Sequence, residues 1–277
     1  MKLLSFVRLG KSSFGVVVNG GVIDLTGKLD PDVNSIKDLI SLNMEDQAQE
    51  YIEGKTKDLS FSDITFLPVI PDPQKIMCIG LNYMEHKKET GRPDVDNPTI
   101  FTRFADSQVA HMQPMIKPDK SDRFDYEAEM AIIIGKGGRF ISEDEALSHI
   151  AGYACYNDGS IRNYQRHTSQ YTPGKTFPGT GGFGPYMVTP DEVGDYTKLP
   201  IELRLNGKVM QKATLADLIF PIPRLISYIS EFTALSSGDV IVTGTPGGVG
   251  YKRTPPVYMV PGDVVEVDIG TVSYTHL

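Results

Sequence analysis

The chain has 277 residues, 40 % of them hydrophobic, with 35 acidic and 27 basic side chains and a formal net charge of −8. This composition suits a folded globule, either one large domain or a small one followed by a large one, and argues against a disordered chain. The negative balance, with no Lys/Arg run longer than two, speaks against nucleic acid and anionic membrane as partners.

No stretch approaches the roughly 18 consecutive apolar residues of a membrane span, and Arg8 interrupts the apolar start too early for a secretory signal. A soluble cytoplasmic protein is the expectation. The first 25 residues read as strands joined by a hairpin at Asn19-Gly20-Gly21, residues that tolerate the positive φ of tight turns. A helical stretch follows, with Ile36, Leu39 and Ile40 on one face and an end at Gly54. Pro68, Pro71 and Pro73 then exclude regular structure and place a domain boundary near residue 70. The expected domains are 1–70, a small N-terminal α/β unit, and 71–277.

Beyond residue 70 the chain alternates short apolar runs with turns. "KIMCIG", "EMAIIIG", "AGYACYN", "YMVT", "IELRLNGKVMQ", "GDVIVTG" and "GDVVEVDI" read as strands. Helices are expected at "SEDEALSHI" and "PRLISYISEFTAL". Too few helices alternate with strands for a doubly wound sheet, so the fold class is a β-rich α+β domain. Cys78 and Cys155 lie within such apolar runs, as reduced core residues do.

The segment "DYEAEMAIIIGK", 125–136, poses a problem: a strand that reads as buried carries two glutamates. Alternation puts Glu127 and Glu129 on one face, Cα atoms about 6–7 Å apart, with Asp125 on the same side. Two carboxylates beside an apolar sheet need a cation, and Asp158, ending the next apolar run, offers a third. Three oxygen ligands with no His or Cys pair at metal spacing point to Mg2+ or Mn2+. An exposed strand whose glutamates pair with Lys or Arg has the same E-x-E pattern.

Five further positions have the chemistry for a reaction. In "IGLNYMEHKKETG" Asn82 can cap a short helix with Glu85 three residues on, leaving His86 and Glu89 at i and i+3. A His oriented by a carboxylate is a general base near neutral pH, though an incidental surface pair looks the same. Lys175, in the Gly/Pro-rich "TPGKTFPGTGGFGP", can balance negative charge, and Arg162 and Gln165 can clamp a carboxylate. His111 and His167 read as surface or loop residues. The G-x-G-x-x-G match "GTGGFG" at 179–184 lies between Pro178 and Pro185 with no strand-to-helix transition, and "GKT" at 174–176 lacks the upstream glycine of a P-loop, so nucleotide binding is not expected.

Taken together, "IGLNYMEH", "DYEAEMAIIIGK", "AGYACYNDGSIRNYQ", "GKTF", "GPYMVTPDEV", "LRLNGKVMQ", "GDVIVTGTPGGVG" and "PGDVVEV" resemble the fumarylacetoacetate hydrolase family, in order over about residues 74–270. The resemblance implies a fumarylacetoacetase-like β-roll catalytic domain behind a small N-terminal domain, a homodimer, and Mg2+ or Mn2+ on Glu127, Glu129 and Asp158. It implies that His86 and Glu89 are the lid pair, that Lys175 is catalytic, and that Arg162, Gln165 and Thr245 of the G-T-P loop bind substrate. The implied activity is hydrolysis of a C–C bond in an acylpyruvate-like 1,3-dicarbonyl acid. Decarboxylation of an oxaloacetate-like acid and isomerisation of ring-cleavage products are the alternatives, with a non-catalytic binding homologue as a further one. Gly159 and Asn163 depart from the family pattern, as does "RHTSQYTP". Substrate choice is expected to reside in 83–92 and 163–185. The last six or so residues, lacking the family's closing strand, are expected to be loose.

Overall fold

Apolar residues on both faces of Ala128–Ile134, interrupted by Glu129, make this strand the centre of the molecule, since a strand covered on both sides reads as a nearly continuous apolar run. The computed structural model describes residues 1–91 and 95–277. Among these, the main sheet has twelve strands. Its principal path runs Gly21–Asp24, Lys11–Val18, Lys2–Arg8, Met187–Val188, Ile150–Asp158, Ala128–Ile134, Val240–Val242, Ile76–Gly80, Thr99–Arg103. A separate sheet of four strands, Lys208–Thr214, Pro200–Leu205, Val265–Asp268 and Tyr274–His276, packs its apolar face into the same core. The arrangement is the expected β-rich α+β one.

Register sets up the site. Ile150–Asp158 runs antiparallel to Ala128–Ile134 with Tyr156 opposite Glu129 and Asn157 opposite Ala128. The Asp158 N–H then donates to the Glu127 carbonyl at 2.8 Å, so the third carboxylate is delivered beside the E-x-E pair by backbone pairing alone. Gly159, which follows, has no room for a side chain: a Cβ there would meet the Thr180 carbonyl, Met115 and Phe124. Its departure from the family pattern is therefore a packing requirement.

At the N-terminus Asn19 and Gly20 take positive φ (48° and 69°) and close the expected hairpin. The single helical stretch expected after it is two helices, Ile36–Ser41 and Glu45–Ile52, separated where Asn43 enters the left-handed region. Ile36, Leu39 and Ile40 are buried as anticipated. The Lys2–Arg8 strand pairs with Met187–Val188, so hydrogen bonding of the main sheet runs across the Pro-rich segment at 68–73.

Ile222–Phe232 buries Ile222, Leu225, Ile226 and Ile229, an i, i+3, i+4, i+7 stripe in which each side chain contributes about 1.5–3 kcal/mol on burial. The expectation of a loose C-terminus is overturned: Tyr274–His276 pairs with Val265–Asp268, and the Met112 N–H donates to the His276 carbonyl at 2.8 Å. The segment "GTGGFG" contributes the strand Gly181–Phe183 and leads into no helix, so the dinucleotide pattern lacks its setting. Cys78 and Cys155 are free and buried. Among the described residues no helix is long and apolar enough to cross a membrane.

Candidate metal centre and active site

Glu127, Glu129 and Asp158 converge. Each offers an oxygen, the three lie within 4.8 Å of one another, and all three side chains are buried. Burial of like charges is sustained by neighbours that sequence reasoning only partly named. Glu127 accepts from Arg162 Nη2 at 2.7 Å and from Lys175 Nζ; Asp158 accepts from Arg103 Nη1 and from the same Lys175 ammonium. Glu129 accepts the Gly244 N–H at 2.6 Å through one oxygen, and its other oxygen has no donor among the described residues. Gly244 is at φ +106°, and a Cβ there would strike that of Asn82, so the residue has to be glycine.

The charge states follow from this division. Burial pushes the Glu127 carboxyl up, but Arg162 and Lys175 outweigh it and hold the group well below the usual carboxylate range. Burial raises Glu129 instead, and the nearby Asp158 and Glu127 charges raise it further. Burial works against the Lys175 ammonium, yet Asp158 and Glu127 hold its pKa above the ordinary lysine value. The one carboxylate oxygen without a donor thus sits where negative charge is in excess. An all-oxygen donor set with that imbalance fits a hard divalent cation.

Asp125 was expected on the same face as the glutamates. It does not join them. Its carboxylate accepts Arg162 Nε at 2.7 Å and the N–H groups of Gly250 and Tyr251 at 2.8 and 3.0 Å, and so fixes the arginine that grips Glu127. Arg162 also donates Nη1 to Gln165 Oε1 at 3.0 Å, which commits the guanidinium to positioning the floor instead of forking onto a substrate carboxylate. Gln165 lines the cavity with its amide NH2 left without an acceptor among the described residues. Lys175 is not in an open loop but ends the short helix Thr172–Lys175 and is buried.

His86 and Glu89 lie on the helix Met84–Thr90, with His86 Nδ1 3.4 Å from Glu89 Oε2. Glu89 also accepts the Gly248 N–H at 3.3 Å, tying the helix to the loop that follows Thr245. Asn82 is not the helix cap; Tyr83 holds that position without a side-chain bond. Asn82 is buried instead, donating to the Thr243 and Phe220 carbonyls at 2.8 and 3.1 Å and accepting the Phe220 N–H at 2.7 Å. It anchors the chain just before the His86 helix. Residue 92, part of the stretch expected to choose the substrate, lies outside the described residues.

His86, Glu127, Glu129, Arg162, Gln165, Lys175 and Thr245 all face one cavity of about 440 Å³, whose apolar wall includes Ile79, Phe101 and Tyr171. Thr245 Oγ1 accepts Gln211 Nε2 at 2.8 Å, leaving its hydroxyl hydrogen for a ligand. Gln211 itself accepts the Ala128 N–H at 2.8 Å and so links the G-T-P loop to the E-x-E strand. Arg103, Gln211 and Asn157, which accepts the Glu127 N–H at 2.9 Å, were missed by sequence reasoning. No local signal marks them, because their partners are 30 to 83 residues away. His111 is not a bare surface residue: its Nδ1 accepts the His276 N–H at 3.1 Å and its ring meets Phe66 edge-on. His167 is exposed against Tyr164.

The profile of the fumarylacetoacetate (FAA) hydrolase C-terminal domain matches residues 75–275. Oxaloacetate tautomerase FAHD2A, mitochondrial, of Bos taurus is 40 % identical over 210 residues, 75 % of this chain and 67 % of that protein. Among solved structures, the fumarylacetoacetate hydrolase of psychrophilic Exiguobacterium antarcticum superposes with a TM-score of 0.84 at 30 % identity, covering 100 % of this chain and 98 % of that one. Maleylpyruvate hydrolase from Sphingobium sp. SYK-6, in complex with manganese(II) and pyruvate, gives 0.83 at 27 % identity with the same coverage. The chain belongs to the fumarylacetoacetate hydrolase family and has its fumarylacetoacetase-like α+β fold.

Proposed function

We propose that this protein is a divalent-metal-dependent enzyme of small 2-oxo acids, and that its reaction is the keto–enol tautomerisation of oxaloacetate. The observation that carries this is the convergence of three buried carboxylates, two of which, Glu127 and Glu129, line the same cavity as His86, itself faced by Glu89. The relative at 40 % identity, named an oxaloacetate tautomerase, supports the choice of substrate. Mg2+ or Mn2+ held by Glu127, Glu129 and Asp158 supplies a Lewis acid for the enolate of a 2-oxo acid.

The chain's own groups do the rest. Glu89 faces His86 Nδ1 and sets the ring's tautomer and orientation, leaving Nε2 to take the proton from the carbon next to the 2-oxo group. Nε2 then passes it to the oxo oxygen as the C–H bond is exchanged for the enol O–H, with the reverse transfer in the other direction. The Gln165 amide and the Thr245 hydroxyl donate to the substrate's near carboxylate and oxo oxygens. Lys175 and Arg162 keep the floor balanced in charge as the enolate forms. Ile79, Phe101 and Tyr171 exclude water from the reacting carbon.

A second reading is hydrolysis of a C–C bond in an acylpyruvate-like acid. It is favoured by the cavity, which is larger than a four-carbon acid fills, and by the pyruvate-bound maleylpyruvate hydrolase neighbour. In that reaction His86 takes its proton from water instead of from carbon. Decarboxylation would need the same enolate and no activated water. Chelator-stripped protein is assayed with and without Mg2+ or Mn2+ on oxaloacetate and an acylpyruvate panel. Metal-dependent decay of the enol absorbance without CO2 supports tautomerisation. Release of pyruvate with a second acid moves the assignment to hydrolysis, and CO2 from oxaloacetate moves it to decarboxylation. The homodimer implied by the resemblance belongs to this proposal, and a protomer mass from light scattering would overturn it.

A further inference from the structure

The cations on the cavity wall are of two kinds. Arg162 and Lys175 are buried and bound to Asp125, Glu127 and Asp158. Arg166, exposed, and Lys252, half-buried, line the open end of the same cavity. Among the described residues neither has a carboxylate at ion-pair distance. Among the described residues the only carboxylates in the lining are Glu127 and Glu129, both committed to the floor. Two positive charges are therefore left uncompensated on the wall of a cavity, in a chain whose net charge is −8.

These charges are also held in place. Arg166 Cζ lies 4.4 Å from the centroid of the Tyr251 ring and Lys252 Nζ 5.4 Å from it; Arg162 Cζ packs on the same ring at 4.4 Å. The Tyr251 backbone N–H is fixed in turn by Asp125. Contact with an aromatic face restrains a cation without neutralising it, so both side chains keep their capacity for an anion. Through Arg162 this ring is one side chain removed from Glu127, which puts the unpaired charges within one small molecule of the carboxylate floor.

We propose that Arg166 and Lys252, mounted on Tyr251, bind the distal carboxylate of the substrate and so restrict the enzyme to 2-oxo acids that carry a second carboxylate. The inference rests on the reading above in one respect, that the 2-oxo end of the substrate occupies the carboxylate floor. Arg166 presents a planar fork for a carboxylate and Lys252 a compact charge, a pairing that rewards a dianion and gives a methyl group nothing to bind.

The test is calorimetric binding to Mn2+-loaded protein of two pairs of acids matched in chain length. Oxaloacetate is compared with 2-oxobutyrate, and 2-oxoglutarate with 2-oxopentanoate; within each pair only the distal carboxylate differs. The wild type is expected to prefer the diacid by about tenfold or more at one chain length at least, and the double variant Arg166→Gln/Lys252→Gln to lose that preference while binding the monoacid unchanged. A diacid preference that survives in the double variant, or no preference in the wild type, overturns the proposal. Both side chains are solvent-accessible, and an unchanged melting temperature certifies the variants. Absence of turnover on every 2-oxo acid with the binding preference intact would overturn the proposed activity and leave this site standing. Turnover indifferent to the two side chains would do the reverse.

Discussion

The floor of the cavity and its mouth are built on opposite principles. At the floor Glu127, Glu129 and Asp158 are buried, and five of their six oxygens have a donor among the described residues; Arg103, Arg162, Lys175 and the Gly244 N–H hold them before anything binds. At the mouth Arg166 and Lys252 are accessible, restrained by Tyr251 and, among the described residues, left without a counter-charge. A buried charge must be paired or it destabilises the fold, so the floor is organised by folding itself. A solvated charge is under no such compulsion, which leaves the mouth free to differ with substrate. Folding determines what the floor can do chemically; the mouth decides which molecule presents itself.

Breaking the floor should cost most. Arg103→Leu leaves Asp158 with a single cationic partner in the interior, and urea unfolding is expected to show a loss of about 3–5 kcal/mol. A loss below 1 kcal/mol would mean that Lys175 alone compensates Asp158. His86→Ala should leave stability nearly unchanged and lower kcat by about 10²–10⁴-fold, with Mn2+ affinity by calorimetry unaltered. A parallel fall in metal affinity would place His86 in the floor instead of above it. Arg162→Lys replaces a guanidinium bonded to Asp125, Glu127 and Gln165 with one ammonium; metal affinity is expected to fall by about 10–100-fold. If affinity holds while only diacid binding suffers, Arg162 belongs functionally to the mouth.

The smallest effect lies in neither region. Burial lowers the His111 imidazole to about 4 from its ordinary value near 6.5, with His276 adding to the shift. The folded state then binds fewer protons than the unfolded one between these values. His111 therefore contributes stability that is complete above about pH 6.5 and lost as pH falls towards 4. Melting curves of wild type and His111→Asn, whose amide oxygen can replace Nδ1 as the acceptor for the His276 N–H, should converge as pH falls from 7 to 4.5. Parallel curves would exclude His111 as the source of acid sensitivity.

Much of the candidate site is legible in the sequence, for a physical reason. Glu127 and Glu129 are one strand repeat apart and His86 and Glu89 one helical turn apart, and both spacings follow from local backbone geometry. The turns at Asn19-Gly20 and Asn206-Gly207 declare themselves because they need positive φ. The same local rules mislead where a longer-range partner wins. Asn82 has the pattern of a helix cap, yet its amide is taken up by Thr243 and Phe220, 138 to 161 residues away. Asp125 shares the alternation of the glutamates, but strand pairing with Ser160 and the Gly250–Tyr251 N–H groups turn it to Arg162. The C-terminus looks unsupported until Val265–Asp268 offers it an edge.

By itself, then, the sequence determined most of the strands, the pairs of reactive residues and the hard-cation character of the donors, since the first two follow from local spacing and the last from residue type. Only the tertiary structure decided which charges are compensated. Arg103 and Asp158 are 55 residues apart in the chain, and Arg166 and Lys252 meet on one tyrosine from separate segments. Whether a charge is paired depends on what the fold brings within a few ångströms of it, and no local rule of spacing contains that distance.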